Sequence, residues 1–177
     1  MEITITINGK AVQATVDDAV IREAMGEKKQ EKKTGYEREI KPNDYYYLSS
    51  LGGVDSDVES NVAVDDRRFN VGNYFTCRKV AESNARADAL MRQLRRFAAE
   101  HGGCVSPAHL REGNCSGYTL FKDDAGIKVC STCGYTDFGE ILFPSAETAK
   151  AAINAFRDEL TWYFTEYDPM PEGWWDE

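Results

Sequence analysis

The sharpest short motif in this chain is Cys130-x-x-Cys133 followed by glycine. Two thiolates at this spacing can bind one tetrahedral zinc ion, and the glycine relaxes the backbone behind them. The two further ligands would come from Cys104 and Cys115, or from His109. Cysteines spaced as Cys104 and Cys115 are not typical of a zinc knuckle, so reduced cysteines that pack as small apolar residues are the favoured interpretation. A structural zinc ion is therefore an open alternative, and we expect no other cofactor.

A run of carboxylates could also do chemistry. Oxygen ligands at alternate positions suit calcium or magnesium, and with magnesium the run would be typical of a nuclease. The run lacks the central glycine and terminal glutamate of an EF-hand loop, so a solvated loop between strands is the favoured interpretation. Its members are Asp55, Asp57, Glu59, Asp65 and Asp66.

Other catalytic patterns are missing from the sequence. It contains two histidines, His101 and His109, and it has no Gly-rich phosphate loop, no G-x-S-x-G and no His-Glu metal motif. We therefore expect a protein that is not an enzyme.

A locally basic helix is predicted over residues 78–98, RKVAESNARADALMRQLRRFA, in a chain whose net charge is −9. Apolar residues at alternating spacings of three and four predict that one face of this helix is a wall of the core. That stripe contains Val80, Ser83, Ala87, Leu90, Leu94 and Phe97.

The opposite face of this helix carries arginine. Small residues lie there too, which predicts a smooth outward surface edged with charge. One interpretation is a solvated face whose arginines pair with the acidic run, and the other is a docking surface for phosphates or for a partner's carboxylates. The alanines are Ala81, Ala85 and Ala89, and the candidate contact residues are Arg78, Arg92, Arg95 and Arg96.

The C-terminal stretch TEYDPMPEGWWDE alternates carboxylates with aromatic residues. Two adjacent tryptophans, Trp174 and Trp175, need burial. They either fold back on the body of the protein, which is the favoured interpretation, or anchor a partner as interface aromatics commonly do. With Asp55 and Asp57, they complete the predicted partner-binding residues.

The elements that position these residues follow from local patterns. Alternation around Asn8-Gly9 predicts an N-terminal β-hairpin, with a short helix after it. DYYYLSS, Gly52-Gly53 and VDSDV predict a second hairpin before the basic helix, and GYTLFKDDAGIKVCSTCG predicts a third before a helix capped by Ser145.

The predicted fold is therefore α+β, with antiparallel sheets covered by two long helices. The two parts of the chain that follow the N-terminal module and linker share the order hairpin, strand, helix. This repeat is either a degenerate duplication or a reuse of common connections. We predict an N-terminal module at 1–27, a charged linker at 28–41, and strand–helix units at 42–103 and 104–177.

Composition limits the partners. No apolar run approaches the roughly 20 residues that span a bilayer, and Met1 leads directly into EITITING, so we expect a cytoplasmic protein without membrane contact. A pI near 4.8 disfavours non-specific coating of nucleic acid and favours a basic protein partner. A local basic strip could still contact DNA.

Four stretches carry a resemblance: EKKTGYERE, DYYYLSS, NYFTCRKVAESNARADALMRQLRRFA and EILFPSAETAKAAINAFRDELTWYFTEYDP. Together they resemble small accessory proteins of bacterial prophages and conjugative elements. Some proteins of this kind are anti-CRISPR inhibitors of type II-A Cas9, and the chain is similar to these.

This resemblance implies a protein of the bacterial host cell that binds and inhibits Cas9 or its guide-RNA complex. The alternative is a zinc-stabilised nucleic-acid-binding accessory protein that acts on the element's own DNA.

Overall fold

The structure is a computed structural model. It describes residues 2–7, 10–15, 33–39, 42–103, 105–106, 108, 110, 112, 116–132 and 139–171. The chain divides into two units, Met1–Lys33 and Thr34–Glu177. Within the described ranges, no helix is long and apolar enough to cross a membrane.

The first unit contains the predicted N-terminal hairpin. Strands β1 (Glu2–Ile7) and β2 (Lys10–Thr15) pair antiparallel, with Ile5 opposite Val12. The short helix predicted after this hairpin and the Asn8-Gly9 turn lie outside the described residues.

The second unit begins with residues 34–39, which belong to the stretch predicted as a linker. The Tyr36 ring packs against Phe75, with centroids 5.3 Å apart, and the backbone N–H of Thr76 donates to the Gly35 carbonyl at 2.7 Å. Gly35 has φ +87°, and an added Cβ there would lie 3.2 Å from the side chains of Cys77 and Val80. Glycine thus allows this segment to approach the following helix closely.

The first half of this unit is built on the second predicted hairpin. Strands β3 (Asp44–Leu48) and β4 (Val54–Val58) pair antiparallel through a turn in which Gly52 has φ +87°. Two helices follow, α1 (Ala63–Asn70) and α2 (Arg78–Glu100). Helix α1 has no counterpart among the elements expected from the sequence, and it occupies the end of the acidic run that was expected to be a loop.

The second half contains the third predicted hairpin, formed by β5 (Gly117–Asp123) and β6 (Gly126–Thr132). Helices α3 (Ala146–Ala155) and α4 (Arg157–Thr165) follow. The Ser145 hydroxyl caps α3 as predicted, because it accepts a hydrogen bond from the backbone N–H of Thr148 at 3.1 Å.

The two halves repeat one arrangement. Tyr46 and Phe75 exchange backbone hydrogen bonds of 2.7 and 2.8 Å, and Tyr118 and Phe143 exchange bonds of 3.0 and 2.8 Å. Each phenylalanine stands two residues before the N-cap of a helix, Cys77 for α2 and Ser145 for α3. The sequence similarity between the halves therefore corresponds to the same hairpin, bridge and helix order.

Helix α2 contributes to the cores of both halves. Its N-terminal turns pack on the β3–β4 hairpin, and its C-terminal turns pack with Phe143 and Leu160 of the second half. The predicted apolar stripe is confirmed at four of its six positions, since Val80, Ala87, Leu90 and Leu94 are all buried.

The prediction of an outward alanine face is wrong. Ala81 is fully buried and Ala85 is only 7 % exposed. Ala81 lies in a cluster against which Tyr46, Leu48 and Val54 of the β3–β4 hairpin pack. A small side chain lets the hairpin approach the helix, so these positions serve close packing and not a smooth outer surface.

The α+β prediction is confirmed, with one difference in its helices. The second predicted long helix is interrupted at Phe156, whose φ of −119° and ψ of 26° end α3 and begin α4. The Phe156 ring packs edge-on against Phe97, with centroids 5.6 Å apart. Both short helices bury the same apolar face, which explains why the periodicity continues across the interruption.

The bridging phenylalanine predicts a stability difference within the second half. Phe143→Ala should lower the free energy of unfolding by about 3 to 5 kcal/mol, because it empties a fully buried site. Phe121→Ala, at a position that is 38 % exposed, should cost only about 0.5 kcal/mol. Urea unfolding followed by circular dichroism measures both values, and equal losses would contradict this view of the core.

Candidate protein-binding surface

Two carboxylates of the acidic run are buried inside the first half of the second unit. Glu59 is 2 % exposed and Asp65 is 1 % exposed. Two arginines and two tyrosines surround them, and we call the six residues the ionic cluster. Its members are Arg38, Tyr45, Glu59, Asp65, Arg68 and Tyr74.

Asp65 fixes the start of α1. Its carboxylate accepts hydrogen bonds from the backbone N–H groups of Ser60 at 3.0 Å and Val62 at 3.1 Å, and from the Tyr45 hydroxyl at 2.8 Å. Burial alone would raise the pKa of Asp65, but these donors outweigh it and the pKa is lowered. The ionised carboxylate thus holds the turn between β4 and α1.

Glu59 is bound by groups from three segments. The Arg38 guanidinium donates two hydrogen bonds of 3.2 Å to its two oxygens, and the Tyr74 hydroxyl and the Asn61 N–H add bonds of 3.0 and 2.7 Å. The Arg38 side chain is the main cause that lowers the pKa of Glu59, against the effect of burial. Arg38 also pairs with Asp66 at 2.7 Å, so it joins residues 34–39 to α1.

Arg68 connects the ionic cluster to the β3–β4 hairpin. It pairs with Asp57 at 2.7 Å, donates to the Tyr45 hydroxyl at 2.5 Å, and lies 3.5 Å from the centroid of the Tyr47 ring. The Tyr45 and Tyr74 rings stack 4.1 Å apart beneath it. The hairpin and α1 therefore share one network of charge and aromatic contacts.

The interpretation of the whole acidic run as a solvated loop is therefore wrong at Glu59 and Asp65. Their oxygens bind protein donors, and α1 occupies the end of the run. Asp55, Asp57 and Asp66 remain exposed. Within the described ranges, no group of three or more histidine, cysteine or acidic residues is placed to hold a metal ion.

Exposed apolar side chains concentrate in the stretch of sequence that also contributes Glu59, Asp65 and Arg68 to the ionic cluster. The described residues leave seven large apolar side chains exposed, and six of them lie between residues 51 and 71. We call their side chains, together with the exposed carboxylates Asp55, Asp57 and Asp66, the 51–71 surface. Its apolar members are Leu51, Val58, Val62, Val64, Phe69 and Val71.

Leu51 and Val71 are the extreme cases. Leu51 is 96 % exposed at the tip of the β3–β4 hairpin, and Val71 is 71 % exposed at the end of α1. Sequence patterns did not identify them, because a single leucine in a Gly-rich turn and a single valine after a helix carry no periodic signal. The structure singles them out by exposure.

The predicted arginine face pairs with carboxylates of its own helix. Arg78 lies 2.8 Å from Glu82, whereas the pairs Arg92–Asp88 and Arg96–Glu100 are looser at 3.9 and 3.7 Å. All three pairs are four residues apart and exposed, so each adds little stability. The acidic partners come from the helix and not from the acidic run, and Arg95 is exposed beside them.

Sequence reasoning missed Arg86, which joins α2 to α4. Its guanidinium donates to both oxygens of Glu159 at 2.8 and 3.1 Å, and it lies 4.0 Å from the Trp162 ring centroid. No local pattern indicates a pair that is 73 residues apart in the sequence.

The C-terminal segment folds back on α2 as far as it is described. The Tyr167 hydroxyl donates to the Asn84 side chain at 3.1 Å, and the Ser83 hydroxyl donates to the Asp168 carbonyl at 3.2 Å. Trp174 and Trp175 lie outside the described residues, so their burial stays a prediction.

The cysteine motif is described only in part. Cys130 is exposed on β6, while Cys104, Cys115, Cys133 and His109 lie outside the described residues. The zinc site therefore stays a prediction.

Comparisons with protein-family models, with curated proteins and with solved structures find no match to this chain. Inferences about function therefore depend on its own residues and on the sequence resemblance to accessory proteins of mobile elements.

The hydroxyl of Tyr45 provides a direct test of the ionic cluster. Tyr45→Phe removes a donor from buried Asp65, so it should lower the free energy of unfolding by about 2 kcal/mol. Tyr47→Phe is the matched control on the same strand and should cost less than about 0.5 kcal/mol. Urea denaturation compares the two, and an equal effect of both variants would show that the hydroxyl does not matter.

Lowered carboxylate pKa values predict loss of stability in acid. Hydrogen bonds from Thr34 and Gly35 outweigh burial and lower the pKa of Glu37 from 4.5 to about 2. The unfolded chain then binds protons at higher pH than the folded chain, so this stabilisation is present above pH 4.5 and is lost towards pH 2.

Urea midpoints measured from pH 7 down to pH 3 test this expectation. Glu37→Gln should destabilise the protein at pH 7 and flatten the acid dependence. Asp124→Asn, at an exposed turn position, should change neither. An unchanged acid slope in Glu37→Gln would assign the dependence to other groups.

Proposed function

We propose that the protein is a non-catalytic binding protein of a bacterial mobile element that inhibits Cas9, alone or in its guide-RNA complex, in the host cytoplasm. The observation that carries the proposal is the 51–71 surface. Of the seven large apolar side chains that are exposed among the described residues, six lie in this stretch, interleaved with carboxylates.

The apolar members supply the binding energy in this proposal. Large apolar side chains gain free energy when they leave water, and a few such anchors dominate most protein interfaces. Leu51 projects from a hairpin tip, where a partner can enclose it on several sides. A catalytic site has no corresponding support among the described residues.

The carboxylates supply the selectivity. Asp55 is exposed and forms no ion pair within the described ranges. Asp57 and Asp66 are exposed but pair with Arg68 and Arg38, and the whole chain carries a net charge of −9. Such a surface attracts a basic protein and repels nucleic acid. Cas9 holds its RNA–DNA heteroduplex in a positively charged channel, so its basic surfaces are of the matching kind.

The ionic cluster prepares this surface for binding. Arg38 joins α1 to residues 34–39, and Arg68 joins α1 to the β3–β4 hairpin. These ion pairs hold the backbone that carries the exposed residues in one arrangement. A frame that is ordered before binding loses less conformational entropy when the complex forms. The zinc-dependent DNA-binding alternative has weaker support, since its candidate ligands Cys104, Cys115 and Cys133 lie outside the described residues.

Retention of the purified protein on immobilised Cas9, with and without guide RNA, tests the proposal. The double variant Leu51→Asp with Val71→Asp should weaken retention at least about tenfold, as expected for loss of interface anchors. Phe121→Asp is the matched control, because Phe121 is the one exposed large apolar residue outside the 51–71 surface among the described residues, and it should change little.

Absence of any retention of the unmodified protein, with or without guide RNA, would refute Cas9 as the target. A DNA mobility shift at increasing salt tests the alternative in parallel. DNA binding that disappears in Arg92→Glu with Arg96→Glu, while the fold is retained, would support the helix as a nucleic-acid contact.

A further inference from the structure

A lysine occupies a core-facing position at the end of the third hairpin. Alternate residues of β5 face the helices, and both Tyr118 and Leu120 pack against the main core cluster. Lys122 is the next residue of that series and pairs across the sheet with Ile127. A cation therefore stands on the face of the sheet that otherwise carries apolar residues.

This lysine lines an open groove with a volume of about 210 Å³. The groove lies between the third hairpin and the junction of α3 with α4. Ile127 from the sheet and Ile153 from α3 provide its apolar surface. Arg157, the first residue of α4, and Thr161 one turn later complete the side that faces the hairpin.

The two cations of the groove have no carboxylate partner among the described residues. The Arg157 side chain donates to the Asn154 amide oxygen at 2.8 Å, and Lys122 forms no ion pair with any residue that the structure describes. By contrast, neighbouring Lys128 pairs with Asp123 at 2.6 Å. Two unpaired positive charges in a chain with 30 acidic and 21 basic residues make this groove a local exception to the acidic surface.

We propose that this groove binds a small organic monocarboxylate. The carboxylate would lie between Lys122 and Arg157, whose N–H groups form strong bonds to an anion. The hydrocarbon part would contact Ile127 and Ile153, which a bare phosphate or sulfate could not use. The volume equals that of about seven waters at ~30 Å³ each, which fits a short aliphatic or single-ring acid. This inference is independent of Cas9 inhibition.

Titration of the ¹⁵N-labelled full-length protein with phenylacetate tests the proposal by NMR. We expect saturable shifts of the Ile127, Ile153 and Thr161 amide signals at millimolar phenylacetate. Phenylacetamide has the same shape without the charge, and it should bind at least about fivefold more weakly, as expected for loss of an exposed charge contact. Equal binding of the two probes would overturn the assignment of the cations as the recognition element.

Single variants locate the site. Lys122→Ala and Arg157→Ala should each weaken phenylacetate binding roughly fivefold. Both side chains are exposed, so the spectrum of each variant should show a retained fold. Lys150→Ala is the matched control on α3, because Lys150 is exposed and does not line the groove. No saturable shift, or an equal loss in Lys150→Ala, would overturn the proposal.

Discussion

Burial of two ionised carboxylates is the constraint on which the first half of the second unit depends. An unpaired carboxylate removed from water costs several kcal/mol, so Glu59 and Asp65 are tolerated only with donors around them. Those donors come from separate segments: Arg38 from residues 34–39, Tyr45 from β3 and Tyr74 from the bridge to α2. No buried side-chain nitrogen or oxygen of the described residues lacks a hydrogen-bond partner. The cluster thereby fixes how these segments meet.

The two halves use one backbone plan with different interiors. Both have a hairpin, a bridging phenylalanine and a helix whose N-cap stands two residues later. The second half packs Phe143 and Leu160 in an apolar core, whereas the first half places stacked tyrosines over buried carboxylates. The stretch that contains α1 supplies both carboxylates and Arg68, so this stretch accounts for the polar interior.

Among the described residues, the same stretch carries most of the exposed large apolar side chains. One side of α1 binds the ionic cluster through Asp65 and Arg68, while Val64 and Val71 remain open to solvent. A polar interior beneath an apolar exterior reverses the usual arrangement of a surface helix. In the proposed function, the charges hold α1 in place and leave its apolar side chains for a partner.

The sequence by itself determined the local elements. Alternation and Gly-containing turns identified the hairpins, three- and four-residue spacing identified α2, and Ser145 identified the start of α3, because each signal arises among residues a few positions apart. Only the tertiary structure decided which polar and small residues are buried. Asp65 and Ala81 are buried by segments distant in the chain, and Arg86 meets Glu159 across 73 residues. Burial and long-range pairing depend on how whole elements pack, which no short stretch of sequence encodes.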